Sequence, residues 1–275
     1  MNLIDNLRHL PYYTRKFILP KEPPMNLFEL KASFVIIILA MTIGAAWVPF
    51  RKRLHSLVGH EFPRGEALAS GVFLGAGLIH MLGDASSQFH ELNVTYPLAF
   101  LLCGISFLFL LYLEHLGGEM RAHYEQNNTA IAMLAIVMLS IHSLFEGTAL
   151  GLSRQLSTGL LIFIAIIAHK WAESFALAVQ LNKSSIKLSH GLFYFALFAL
   201  MTPIGIILGH SIVTLASQHN YLQPIFTSFA AGTFLYIGTL HGLKRSVMVE
   251  RCCNLHDFGF VIIGFSLMAI VAIWT

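Results

Sequence analysis

Two short runs, His142-Ser143-Leu144-Phe145-Glu146-Gly147-Thr148-Ala149-Leu150 and His169-Lys170-Trp171-Ala172-Glu173-Ser174-Phe175-Ala176-Leu177, repeat one pattern. In each, an imidazole and a carboxylate stand four residues apart, which on an α-helix puts them on one face about a turn apart. Two neutral imidazoles and two carboxylates suit a borderline divalent cation such as Zn²⁺, with Fe²⁺, Mn²⁺, Co²⁺ or Cd²⁺ accommodated by the same donors. Together with a protonated Lys170, the four residues carry a single net negative charge that a divalent ion reverses. The ammonium keeps the two carboxylates from repelling each other and discourages a second metal beside the first. The cysteines offer no competing chemistry. Cys103 and the adjacent Cys252 and Cys253 are odd in number and lack C-x-x-C spacing, so neither a disulfide framework nor a zinc ribbon is expected.

The elements that must hold these groups are long and apolar. Of 275 residues, 56% are hydrophobic and 11% charged, where soluble domains average about 25% charged. Uncharged runs near the roughly 20 residues needed to cross a bilayer recur along the chain. They fall at about 32–50, 66–84, 95–113, 130–152, 157–181, 191–215, 222–243 and 258–275. Period-two alternation is absent, so the spans are helices rather than barrel strands, and the expected fold is an all-α polytopic membrane protein with eight transmembrane helices. Residues 1–31, with Arg8, Arg15, Lys16 and Lys21 among prolines and no small-residue cleavage site, are expected to be a tail or interfacial segment rather than a secretory signal; residues 32–275 form the membrane domain. A formal charge of +3 gives no reason to expect a nucleic-acid partner.

Lys and Arg in the connections set the orientation. Arg51, Lys52, Arg53 and Arg64, then Arg121, then Lys183 and Lys187, then Lys244, Arg245 and Arg251 fall in alternate loops, whereas the other loops hold only Arg154. The positive-inside rule puts the first set in the cytoplasm and both termini outside, against the lone contrary signal of the basic N-terminal segment.

Well inside the spans, charge is confined to Glu146, Lys170 and Glu173. A charge at bilayer depth is costly unless paired or hydrated, so such groups mark an ion or proton path. Spans 4 and 5 are joined by a short connection near 153–156, run antiparallel, and bring His142, Glu146, His169 and Glu173 together near the membrane midplane. A salt bridge of Lys170 with the two glutamates would leave both histidines without a purpose. A proton or monovalent-cation channel explains the charges but not the paired imidazoles. An intramembrane zinc hydrolase is the rival from another class: the same ligands would hold Zn²⁺ with an open position for water, and Glu173 would have to double as general base, since H-x-x-x-E is not the H-E-x-x-H arrangement.

The runs HSLFEGTALGL and HKWAESFALA resemble the signature of the ZIP family of divalent metal-ion transporters, nearest to its eukaryotic-type zinc importers. GVFLGAGLIHMLGDA at 71–85 and AAGTFLYIGTLH at 230–241 are similar to that family's second and seventh helices. The resemblance covers nearly all of the chain after residue 30. It implies an eight-helix transporter of the plasma membrane with both termini outside, carrying divalent metal into the cytosol by alternating access. On the matching positions, His142, Glu146, His169 and Glu173 are the transport site. Ser143 and Lys170 fall where some members place ligands for a second metal; a protonated Lys170 cannot ligate, which implies a mononuclear site. His80 matches an outer polar position, with Asp84 a turn farther out as a second cation collector or an interfacial cap. Ile162 and Ile166, seven and three residues before His169, are candidates for an outer gate or for plain packing. Phe73 is expected to pack. The family analogy also admits a homodimer. No catalytic cofactor is expected; the metal is cargo.

Other residues receive lesser expectations. His210 and His241 lack a carboxylate at helical spacing and are read as packing residues. Glu114, His115, Glu119, His123 and Glu125 form a solvated acidic helix end or a weak metal-binding group; the loop at 117–128 is too short for the family's long histidine-rich loop. Pro203 with Gly205 is the expected helix break in span 6, and Gly71, Gly75 and Gly77 are expected to let span 2 pack closely on a neighbour.

Overall fold

Continuous apolar sequence with few interior breakers satisfies its backbone hydrogen bonds locally, and the result is a bundle of helices. The computed structural model describes residues 27–55, 62–122, 128–215, 221–240 and 255–273. The helices are α1 (Leu27–His55), α2 (Pro63–Glu91), α3 (Leu98–Ala122), α4 (Asn128–Leu152), α5 (Leu156–Lys183), α6 (Leu188–Leu215), α7 (Leu222–Tyr236) and α8 (Leu255–Val271). Among the described residues there is no strand. Each expected span falls on one helix. α1 to α6 are long and apolar enough to cross a membrane, α8 is apolar but shorter, and α7 continues as a π turn over 237–240. Large apolar side chains such as Ile36, Trp47, Phe100, Leu108, Phe193, Ile207 and Ile262 face outward. Their exposure fits a lipid surround, where it carries no hydrophobic penalty.

The helices sort into two packing groups. In the first, α4 lies along α6 and α1 along α5; in the second, α2 lies along α8 and α3 along α7. The groups meet chiefly where α4 contacts α7 and α2 contacts α5. Glycines permit the closest approaches. A Cβ on Gly147 or Gly205 would strike backbone of the facing helix, Thr202 and Leu144 respectively, so α4 and α6 touch backbone to backbone. Gly71 and Gly75 similarly admit α8, and Gly77 admits α7.

Three features differ from the sequence reading. First, α6 runs unbroken through Pro203; the irregular backbone lies instead in the π segment Ala76–Met81 within α2 and in the π turn after α7. Second, α1 begins at Leu27, inside the expected tail, and Lys31 is buried, donating to the carbonyls of Gly151 (2.6 Å) and Ser153 (2.9 Å). The ammonium thereby caps the C-terminal end of α4, whose last carbonyls have no helical partner. Third, Asp257 is also buried, so buried charge is not limited to the α4–α5 pair. The expectations for residues 1–26, His123, Glu125, His241 and the Cys252–Cys253 pair lie outside the described residues.

Candidate functional site

α4 and α5 are joined at 153–155 and run antiparallel, so their His/Glu faces meet. His142, Glu146, His169 and Glu173 are all buried, and one ligand atom from each lies within 4.8 Å of the others. The pairing crosses the helices. His169 Nε2 is hydrogen-bonded to the Glu146 carboxylate, and His142 Nε2 stands 3.6 Å from Glu173 Oε1. Glu173 Oε1 is also 3.5 Å from His169 Nε2, so one carboxylate oxygen sits between both imidazoles.

The fourth side of the cluster is cationic. Lys170, fully buried, donates to Glu173 Oε2 at 2.8 Å, to Ser143 Oγ at 2.8 Å and, more weakly, to Glu146 Oε2 at 3.5 Å. Ser143 Oγ in turn donates to Glu173 Oε2 at 3.1 Å. The outer face of the ammonium rests 5.1 Å from the Phe198 ring centroid, a geometry in which the ring quadrupole favours the charge. The ammonium and hydroxyl therefore occupy Oε2 of Glu173 and leave Oε1 turned toward the imidazoles. Oε1 and His142 Nε2 are buried without a hydrogen-bond partner, and so is His169 Nδ1. Each such orphan costs about 1–3 kcal/mol in an otherwise satisfied interior. A cation accepting both lone pairs would remove two of these penalties together. Tetrahedral zinc with bonds of about 2.0–2.1 Å separates its ligand atoms by about 3.4 Å, close to the two distances from Glu173 Oε1.

The second packing group completes the walls. Phe234 on α7 stacks on the His142 ring, with centroids 3.6 Å apart and planes 12° off parallel, and meets His169 edge-on at 4.9 Å. Phe73 packs on Phe234, 5.1 Å between centroids, as its apolar ring led one to expect. Residue spacing gives no sign of Phe234, nor of Thr233 and the Ala230 carbonyl, both in contact with His142 Nδ1. The only trace of them in the sequence is the AAGTFLY run, which has no helical partner residue to reveal a role.

A path leads to the cluster from the end of the bundle that bears the α4–α5 turn. His80 Nδ1 and Asp84 Oδ2 pair at 2.9 Å. With Gln88, Ile162, Ile166 and the inner residues Glu146 and His169 they line a cavity of about 30 Å³, about the space of one water. Gln88 also lines a wider recess of about 330 Å³ farther out, with Glu91, Arg154, Gln155, Thr158 and Gln223. Ile166 is buried and Ile162 half-buried on this path. His210 lies outside the cluster, its ring 5.6 Å from Phe28. Glu114 accepts a hydrogen bond from the Tyr236 hydroxyl, and His115 is exposed on α3, its Nδ1 3.3 Å from the Leu111 carbonyl oxygen.

An all-helical membrane bundle with a fully buried His/Glu/Lys cluster at the end of a polar path is the architecture of an ion transporter. Comparison with known proteins agrees. The family profile described as ZIP zinc transporter matches residues 117–272. The chain is 27% identical to zinc transporter ZIP2 of Mus musculus over 306 residues, covering 90% of this chain and 99% of that protein. It is 29% identical to zinc transporter ZIP1 of Takifugu rubripes over 294 residues, 88% of this chain and 97% of that one. Against zinc transporter 11 of Arabidopsis thaliana the identity is 25% over 287 residues, 90% of this chain and 86% of the relative. The chain belongs to the ZIP family of metal transporters, and that membership places it with transporters rather than with intramembrane hydrolases.

Proposed function

We propose that this protein carries zinc across the plasma membrane into the cytosol, with His142, Glu146, His169 and Glu173 as the ligands of a single transported ion. The observation that carries the reading is the buried four-residue cluster in which His142 Nε2 and Glu173 Oε1 face one another without hydrogen-bond partners. Relatives named as zinc transporters support zinc as the cargo, and the N/O donor set also admits Fe²⁺, Mn²⁺ and Cd²⁺.

The two packing groups support an alternating-access mechanism. The ion loses its water along the path past Asp84 and His80, and Ile162 and Ile166 close that path behind it. The helix group that contains α4 and α5 then shifts against the group of α2, α3, α7 and α8, and the ion leaves on the other side. Ligands hold metal only when deprotonated, so a proton on His142 or His169 favours release. Lys170 already neutralises much of the glutamate pair, which limits how tightly the ion is held and leaves no room for a second one. The positive-inside rule, applied to the basic loops, supports a cytosolic Lys183 end of α5 and both termini outside, with the membrane domain beginning at α1.

Liposomes containing a zinc-sensitive dye test this directly. Wild-type protein gives saturable influx, and His142→Ala and Glu173→Ala abolish it. Equal flux in wild type and both variants would refute the site.

A further inference from the structure

Of the two histidine ligands, His142 is the one whose second ring nitrogen is held by the opposite helix group. Its Nδ1 lies 2.7 Å from Thr233 Oγ1 and 3.2 Å from the Ala230 carbonyl oxygen, both on α7. The Thr233 hydroxyl donates its own proton to that same carbonyl, at 2.6 Å. A carbonyl only accepts, and with the threonine proton directed to it the proton between the imidazole and this pair sits on His142 Nδ1. The neutral ring then has its lone pair on Nε2, the atom that faces Glu173 Oε1 without a partner.

Stacking alone does not achieve this. The Phe234 ring, nearly parallel to the imidazole, fixes its plane. A half-turn about the Cβ–Cγ bond would return the ring to the same plane and keep the stacking while presenting a carbon in place of Nε2. Hydrogen bonding to Thr233 and Ala230 is what distinguishes the two arrangements. Thr233 is itself 1% exposed, so no water competes for the bond.

We propose that Thr233 is a positioning residue for metal capture: its hydroxyl, together with the Ala230 carbonyl, holds His142 in the Nδ1–H form with Nε2 aimed at the ion. This rests on the reading of His142 as a zinc ligand. The consequence is that the α7 group, which supplies no ligand, sets the affinity of the α4–α5 group that supplies all four.

The test uses the full-length protein, purified and reconstituted, with zinc affinity measured by competition against a chelating dye alongside flux. Thr233→Val preserves shape and removes the acceptor; Thr233→Ala replaces it if the valine variant does not fold; Thr233→Ser keeps the hydroxyl. Loss of an outer partner of a metal-bound histidine typically weakens binding about 10–100-fold, and because the Ala230 carbonyl remains, the expected loss in Thr233→Val is near tenfold, with a matching rise in KM and a smaller change in maximal flux. Thr233→Ser should stay within about twofold of wild type. The thermal midpoint of the metal-free protein should be unmoved while the upward shift on adding zinc shrinks, a split that a merely structural threonine would not produce. Zinc affinity in Thr233→Val equal to wild type would overturn the proposal, as would an equal loss in Thr233→Ser. His142→Ala, run beside them, separates the two levels: if it loses zinc and Thr233→Val does not, only the positioning role falls, whereas if it too binds as wild type, the ligand assignment falls first.

Discussion

The two helix groups contribute to the same site in different ways. The group of α1, α4, α5 and α6 carries His142, Glu146, His169, Glu173 and Lys170, every one fully or almost fully buried. The group of α2, α3, α7 and α8 adds no side chain to that cluster; it stacks Phe234 on two imidazoles, anchors His142 through Thr233, and lines the approach with His80 and Asp84. Donor atoms are thus concentrated in one body, while their orientation and access depend on the other. A carrier benefits from this division, because ligands that travel together keep their coordination, whereas contacts made across the boundary change when the groups move. Changes in the ligand group should therefore remove binding, and changes in the other group should tune it.

The largest effect is expected from the ligands themselves. Outer-partner losses alone reach about 10–100-fold, so Glu173→Ala or His142→Ala should weaken zinc binding beyond that range, measured by dye competition. A comparable loss from Asp84→Ala would erase the distinction between the two groups. Lys170 comes next, because it is the one cation among the buried carboxylates. Removing one partner of a buried ion pair costs about 3–5 kcal/mol, so Lys170→Ala should lower the thermal midpoint of the metal-free protein, and zinc should recover much of the loss by restoring positive charge. Bound metal per chain should also rise above one, read by elemental analysis. Unchanged midpoint and stoichiometry would show that Lys170 has no electrostatic role.

Smaller effects belong to the approach and to the boundary. Asp84 is about a third exposed, and exposed charge interactions are worth about 0.2–1 kcal/mol. Asp84→Asn should accordingly raise KM up to about fivefold and leave maximal flux unchanged. At the far end of the bundle Lys183 on α5 pairs with Glu66 on α2 at 2.8 Å, a contact across the boundary. It is partly exposed, so Lys183→Ala should change flux less than fivefold, about 1 kcal/mol at most, and the exchange Lys183→Glu with Glu66→Lys should restore it. An unrestored loss would mean that the site of each charge matters more than the pairing.

The same division decides what could be read from the residues alone. A helix repeats every 3.6 residues, so two H-x-x-x-E runs announce a common face, and a short connection makes the faces antiparallel; both inferences need only local spacing. Eight apolar spans likewise follow from bilayer thickness. Thr233 and His142, by contrast, are 91 residues apart, and no periodicity links a threonine on α7 to a nitrogen on α4. The cross-helix pairing of His169 with Glu146 was also hidden, since spacing relates each histidine only to the carboxylate of its own helix. The continuous course of α6 through Pro203 has a comparable origin: apolar packing against α4, at the Gly147 and Gly205 contacts, compensates for what the proline ring takes from the backbone. Lys31 escaped notice because its position one residue before the apolar run looked peripheral, yet two carbonyls at the end of α4 draw it inside.

X-ray absorption at the zinc edge of the purified protein, loaded with one equivalent, addresses the central claim most directly. The account predicts about four nitrogen and oxygen neighbours near 2.0–2.1 Å, with the multiple-scattering signature of two imidazoles, which weakens in His142→Ala. A sulfur neighbour, or a spectrum identical in wild type, His142→Ala and His169→Ala, would contradict it.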